Sequence, residues 1–143
     1  MKRILALILM LAVIGLLFLG INHRLKIRAK KKREAAYQAA LRSYIQVLKP
    51  GMTRKEVEDY FQGKSVKFRQ MCCVDALELS KRKSWDDLIK IGEEATPWFC
   101  SENNVYLAFQ FIDDSEQQTG GWKADDLDTL KSITVYHWLE GCL

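Results

Sequence analysis

Four cysteines, Cys72, Cys73, Cys100 and Cys142, are the residues of this 143-residue chain whose chemistry most constrains it. An even number in a small domain is the pattern of two disulfides formed in an oxidising compartment. A bond between the neighbours Cys72 and Cys73 requires a strained small ring. The expectation is therefore one partner for each of them among Cys100 and Cys142, with the pairing open. Each bridge would contribute about 2–4 kcal/mol, and Cys142 would tie down a C-terminal segment prone to fraying. Three other chemistries compete. Four reduced thiols would fit a cytosolic protein. A zinc site would use the same residues, but the spacing lacks paired Cys-x2–4-Cys knuckles. A thiol-redox enzyme usually carries Cys-x-x-Cys, which does not occur here.

Other chemistry-bearing residues are sparse. His23 follows an apolar run, and His137 falls on the apolar parity of a strand pattern, where a packed core or edge histidine is the ordinary outcome. The pairs Glu93-Glu94, Asp113-Asp114 and Asp125-Asp126 read as solvated loop charges, without the spacing of a calcium loop. No P-loop and no GxGxxG is present. The sequence assigns no catalytic residue, no cofactor and no metal ligand, and the expectation is a protein that is not an enzyme. The aromatics Trp98, Phe99, Tyr106, Trp122, Tyr136 and Trp138 crowd the C-terminal half. Tyr136 and Trp138 share one strand face. Left uncovered, that face would be a partner patch; covered by loops, it would be the second face of a sheet.

The elements that must position these residues begin with Ile4 to Ile21, an uncharged run of eighteen preceded by Lys2 and Arg3. Its length is near the lower limit for a membrane-spanning helix. Phe18 is a poor residue before a cleavage site, so an uncleaved anchor is expected rather than a signal peptide. Seven basic residues follow: Arg24, Lys26, Arg28, Lys30, Lys31, Lys32 and Arg33. They suit anionic headgroups, at about 1 kcal/mol each near a membrane surface, or else form a solvated spacer. Nine of the 22 basic side chains thus precede Glu34, and the remaining 13 face 18 acidic ones. The folded part is mildly acidic despite a basic pI of about 8.9, which argues against nucleic acid as a partner. Charge bias favours a cytoplasmic domain, whereas cysteine usage favours an oxidising compartment; the cysteines carry slightly more weight. Residues 1–22 are thus expected as a transmembrane anchor, 23–34 as a basic juxtamembrane segment and 35–143 as one small α+β domain.

Ala29 to Leu48, which leads into that domain and can continue the apolar helix, shows helical spacing of Tyr37, Leu41, Tyr44, Ile45 and Leu48. Val66 to Met71 is a strand candidate, Val74 to Lys83 is unassigned, and Ser84 suits the cap of a short helix with Asp86 and Asp87 in its first turn. Val105 to Ile112 is apolar on both parities and predicts a central strand. Asp113 to Asp128 reads as a polar connection, and Leu130 to Leu139 as the last strand, with Ile133, Val135 and Leu139 sharing a face with His137. Two helices packed on a small antiparallel sheet of three or four strands follow.

The strongest local signal is Leu48 to Phe61. Pro50-Gly51 turns the chain. Thr53 and Glu56 form a capping box, and Met52 with Val57 a hydrophobic staple. Val57, Tyr60 and Phe61 share one face, and Gly63 ends the helix. The pattern Leu48-x-x-Gly51-Met52-Thr53-x-x-Glu56-Val57-x-x-Tyr60-Phe61 resembles the opening of the SmpA/OmlA (BamE-like) family of bacterial envelope proteins. That resemblance covers about a tenth of the chain. It implies two helices followed by an antiparallel sheet and a role in envelope assembly or maintenance through protein–protein contact. No cysteine follows the apolar run, so lipid attachment is not implied. The combined expectation is a single-pass protein of the bacterial inner membrane with a periplasmic, disulfide-bonded domain and an unknown protein partner. The alternatives are a cysteine-dependent redox protein and a lipid-contacting module, with the domain on the cytoplasmic side in the first case.

Overall fold

A computed structural model describes residues 2–72, 84–113 and 124–143; the side-chain surroundings of 2–9 and 11–14 also fall outside what is described. The elements run α1 (Lys2–Val47), α2 (Arg54–Gly63), β1 (Arg69–Met71), β2 (Asp86–Glu93), β3 (Glu102–Ile112) and β4 (Thr129–Glu140). Two compact units result, Met1–Ala36 and Tyr37–Leu143.

The first unit corrects the expected fold class. In place of the expected membrane-spanning helix and the helix from Ala29 stands α1, one unbroken helix of 46 residues. Among the described residues no helix is long and apolar enough to cross a membrane. Of the expected span, the described side chains are Met10 and residues 15–21, all exposed. The seven basic residues from Arg24 to Arg33 are also exposed. At about 100° per residue they fall into two groups on roughly opposite sides of the helix, so no flat surface meets them all.

The second unit is an α+β layer pair. Its sheet has the order β1-β2-β3-β4, antiparallel throughout. From Tyr37 onward α1 lays Ala40, Leu41 and Tyr44 on one sheet face, and α2 adds Val57 and Phe61. They enclose Ile89, Leu107, Phe109, Phe111 and Leu130, with Leu48 at the junction. Phe61 and Phe109 meet edge to face, 4.8 Å between centroids, and Tyr44 stands 5.4 Å from Phe109. Edge-to-face pairs of this kind add about 0.5–1.5 kcal/mol beyond the area they bury. The other sheet face has its own cluster of Leu88, Tyr106 and Ala108. Burial on both faces makes β3 central, as its two apolar parities require.

The turn and helix start form as their residues dictate. Gly51 takes φ +91°, which a side chain would resist. Thr53 caps α2, with the reciprocal Glu56 contact completing the capping box. Backbone bonds then attach this turn to β4: Gly51 N–H donates to Leu130 O, and Leu130 N–H to Met52 O, each at 2.8 Å.

Two local expectations are corrected. The helix expected after Ser84 is β2, because Leu88 and Ile89 face opposite cores and pair with Ala108 and Leu107. The strand expected from Val66 to Met71 contracts to β1, since Val66 and Phe68 pack on the α2 side instead of laddering. Gly63 is the last residue of α2, as expected. The left-handed residue is Ser65 (φ 54°), with Val66 N–H donating to Phe61 O and Ser65 N–H to Gln62 O, both at 2.9 Å. Those two bonds make a Schellman motif, whose left-handed position suits glycine. The residues of the unassigned stretch Val74 to Lys83 and most of the Asp113 to Asp128 connection lie outside the described ones.

Ser65→Gly removes the Cβ penalty at an exposed position. Thermal and urea unfolding of the variant should show a gain of about 0.5–1 kcal/mol; a loss would contradict the left-handed assignment.

Candidate functional site

The densest polar chemistry among the described residues is a buried knot around Arg54. Arg54 is the first residue of α2 and only 1% exposed. Its Nη1 donates to Asp87 Oδ1 at 2.6 Å, its Nε to Asp128 Oδ2 at 3.3 Å, and its Nη2 to Ser84 Oγ at 3.1 Å and to the Trp85 carbonyl. The guanidinium carbon lies 3.9 Å from the centroid of Phe111, a cation–π contact. Ser84 Oγ in turn donates to Asp128, whose carboxylate also accepts the Asp125 N–H at 2.8 Å. Arg54 N–H donates to Asp128 O at 2.7 Å, so main chain and side chain of one residue grip the same partner.

Three carboxylates surround one guanidinium, because Glu58 Oε1 stands 3.9 Å from Arg54 Nη1. The electrostatic consequence falls on Asp87, which is fully buried. Burial pushes its pKa up from 3.8 to about 7; the attraction of Arg54 opposes this, and the nearby Glu58 adds to it. A carboxyl poised near neutrality is often catalytic. Here Arg54, Asp87 and Asp128 are each 1% exposed or less, so a substrate has no access to them. The knot fastens the start of α2 to β2 and to the approach to β4.

Sequence reasoning missed this knot. Its signal was a basic residue in the first turn of a helix, where the helix dipole disfavours positive charge. Such a residue stays only if stronger partners hold it. Asp86 and Asp87, assigned to a helix start, are buried strand residues, and Asp125-Asp126 flank the knot as exposed loop charges.

The cysteines correct the expected pairing. Cys100 is bonded to Cys142, so neither is available to Cys72 or Cys73. The register explains it: Glu102 pairs with Glu140, which brings the residues two beyond each together. Cys72 is also disulfide-bonded, and Cys73 lies outside the described residues. Among the described residues no cysteine is free and no group of His, Cys, Asp and Glu is placed to hold a metal.

Tyr136 and Trp138, whose face would be a partner patch if left uncovered, are half-buried in the second-face cluster. Arg69 covers the rings there, 4.3 Å from the Trp138 centroid and 4.8 Å from Tyr106, and pairs with Glu140 at 2.6 Å. His137 is exposed on the edge strand, with Tyr37 edge-on at 6.4 Å. At the disulfide end Trp98 is 92% exposed and Phe99 40%. Beside them lies a polar pocket of about 230 Å³ with Lys90, Glu93, Glu94 and Glu102 in its wall. No family model, no curated protein and no solved structure matches the chain.

Arg54→Ala leaves Asp87 and Asp128 buried without their cation. Urea unfolding should show a loss of about 3–5 kcal/mol; a loss below 1 kcal/mol would mean that the knot does not hold the fold. The raised pKa of Asp87 also sets a pH dependence. Its folded pKa lies above its unfolded one, so the folded state holds the proton more tightly. The resulting stability is fully present below about pH 4 and is lost as pH rises through about 7. Asp87→Asn should flatten the unfolding free energy between those limits, and an unchanged slope would contradict the assignment.

Proposed function

We propose that this chain is a non-enzymatic, disulfide-bonded interaction domain that works in an oxidising compartment, the bacterial envelope by the resemblance of Leu48–Phe61, and acts by protein–protein contact. The observation that carries the reading is the Cys100–Cys142 bond closing the open end of the β3–β4 hairpin. A bond there fixes the two longest strands at the end where the exposed aromatics stand. It joins strand ends 42 residues apart and has none of the close spacing of a redox pair.

The sheet edge supports a contact role. Beyond Leu130, which is bonded to Met52 and Gly51, the outer side of β4 has no backbone partner from Ser132 to Leu139 among the described residues. Alternate N–H and C=O groups of an edge strand point outward and can accept an extended segment of another chain. The capping box and the two-helix approach to an antiparallel sheet are in keeping with the BamE-like resemblance.

The reading requires oxidised thiols in the cell. Acid quenching of intact cells, alkylation and mass spectrometry should find Cys100 and Cys142 protected. Free thiols at both positions would place the domain in a reducing compartment and end the proposal. In the purified protein, Cys100→Ser with Cys142→Ser should lower stability by about 2–4 kcal/mol and leave the core intact by near-UV circular dichroism.

A further inference from the structure

The two edges of the sheet are built differently. β1, at one edge, is three residues long and begins with the charged Arg69. Short, charged edge strands are how native sheets discourage strand addition. β4, at the other edge, runs for 12 residues. Between Lys131 and Glu140 it holds no lysine, arginine, carboxylate, proline or glycine, and Ile133, Thr134, Val135, Tyr136 and Trp138 all favour strands. Its pairing with β3 is regular from Ser132 to Glu140, so no bulge turns this stretch of edge away.

The chain covers only the beginning of that edge itself. Thr53 forms an antiparallel bridge to Thr129, and Leu130 exchanges backbone bonds with Gly51 and Met52. Which main-chain groups point outward beyond it can be counted from either end. Leu130 N–H and C=O both face out, to Met52 and Gly51. Lys131 is the extra residue where pairing moves from Phe111 to Gln110, so the next outward residue is Ile133. At the far end Glu140 C=O accepts the Ser101 N–H and so faces inward, which turns Leu139 outward. Both counts give Ile133, Val135, His137 and Leu139. Among the described residues no backbone group pairs with these four on the outer side. The apolar layer is also thin here. Ile133 and Val135 are half-buried and Leu139 is 41% exposed, whereas Phe109 and Leu107, their neighbours on β3, are fully buried.

We infer that the open edge of β4 is where a second copy of this chain docks, β4 against β4, antiparallel about a two-fold axis. The inference deepens the interaction reading above, on which it rests, by naming the partner. The edge selects a copy of itself because it is self-complementary, as a two-fold contact requires. Its four outward residues are spaced evenly about Tyr136. An axis at Tyr136 therefore sets Ile133 opposite Leu139 of the other copy and Val135 opposite His137, and every outward donor meets an outward acceptor. About eight backbone bonds result. The same register lays Ile133 of each copy on the exposed Leu139 of the other, a cross-strand apolar pair. The charges agree with it. β4 has Lys131 near its start and Glu140 at its end. Reversing one copy brings unlike ends together and keeps like ends a strand length apart.

The test follows the oxidised full chain by sedimentation velocity across a range of concentrations, beside Thr134→Lys/His137→Lys and a neutral control, Thr134→Gln/His137→Gln. Both side chains are exposed, so the melting temperature of the dilute chain should be unchanged in either variant. The inference predicts a species of twice 16.6 kDa for the unmodified chain and the control, and at least ~10-fold weaker association for the lysine variant. In the host cell, the photoreactive residue p-benzoylphenylalanine at His137 should give an adduct of two copies of this chain. Association that the lysines leave unchanged would come through another surface, such as the exposed apolar residues of α1, and would overturn the inference. An adduct from position 137 with a different protein alone would overturn it and leave the interaction reading standing. A chain that is monomeric at every concentration and gives no self-adduct would overturn it as well. The interaction reading fails separately, on free thiols at Cys100 and Cys142.

Discussion

One buried guanidinium holds the layers of the second unit together. Arg54 sits where three separate pieces of chain converge: the start of α2, the first residues of β2 and the turn before β4. Each piece brings polar groups into the interior, and each alone would be unfavourable there. Together they satisfy the guanidinium, and Phe111 closes its face. A buried ion network of this kind adds less net stability than its contacts suggest, because taking the charges out of water costs much of their attraction. What it supplies is a single allowed arrangement: any slip of α2 against the sheet strands a charge in the core. The crowding of carboxylates also explains why Asp87 cannot settle at an ordinary acidic pKa.

The unit is therefore built with two unlike ends. The knot, the capping box and the Met52–Leu130 backbone pair fix the end where α2 starts. The hydrophobic layer between them is filled by Tyr44, Phe61 and Phe109, whose edge-to-face contacts leave few alternative packings. At the opposite end of the β3–β4 hairpin the apolar layer has run out, and a covalent bond does the fastening. That division leaves Trp98 outside the core, 92% exposed at the disulfide end.

Much of this was legible in the sequence where the signal was local. Thr53 and Glu56 are enough to define a capping box, and the double apolar parity of Val105 to Ile112 is enough to define a central strand. Signals that depend on distant residues were not. Asp86 and Asp87 resemble a helix start, and only the pairing of Asp86 with Met71 and of Asp87 with Gln70 and Phe109 makes them a strand. Cys72 and Cys73 drew attention to a strained ring and away from the register that sets Cys100 beside Cys142. The eighteen-residue apolar run carried the expectation of an anchor on composition alone, which the described residues do not bear out. Trp98 stood out by type, but its exposure comes from a clamp made by Ser101, Glu140 and Gly141 that no local pattern announces.

If the knot around Arg54 governs the unit, its backbone should open only when everything opens. Native-state amide hydrogen exchange of Gly51, Arg54 and Leu130 tests this most directly, since all three donate backbone bonds across the junction. The account predicts that they exchange as slowly as Leu107 and Phe109 at the centre of β3, with the same dependence on denaturant. Exchange orders of magnitude faster at the junction, with β3 still protected, would show the helix layer detaching on its own and contradict the claim.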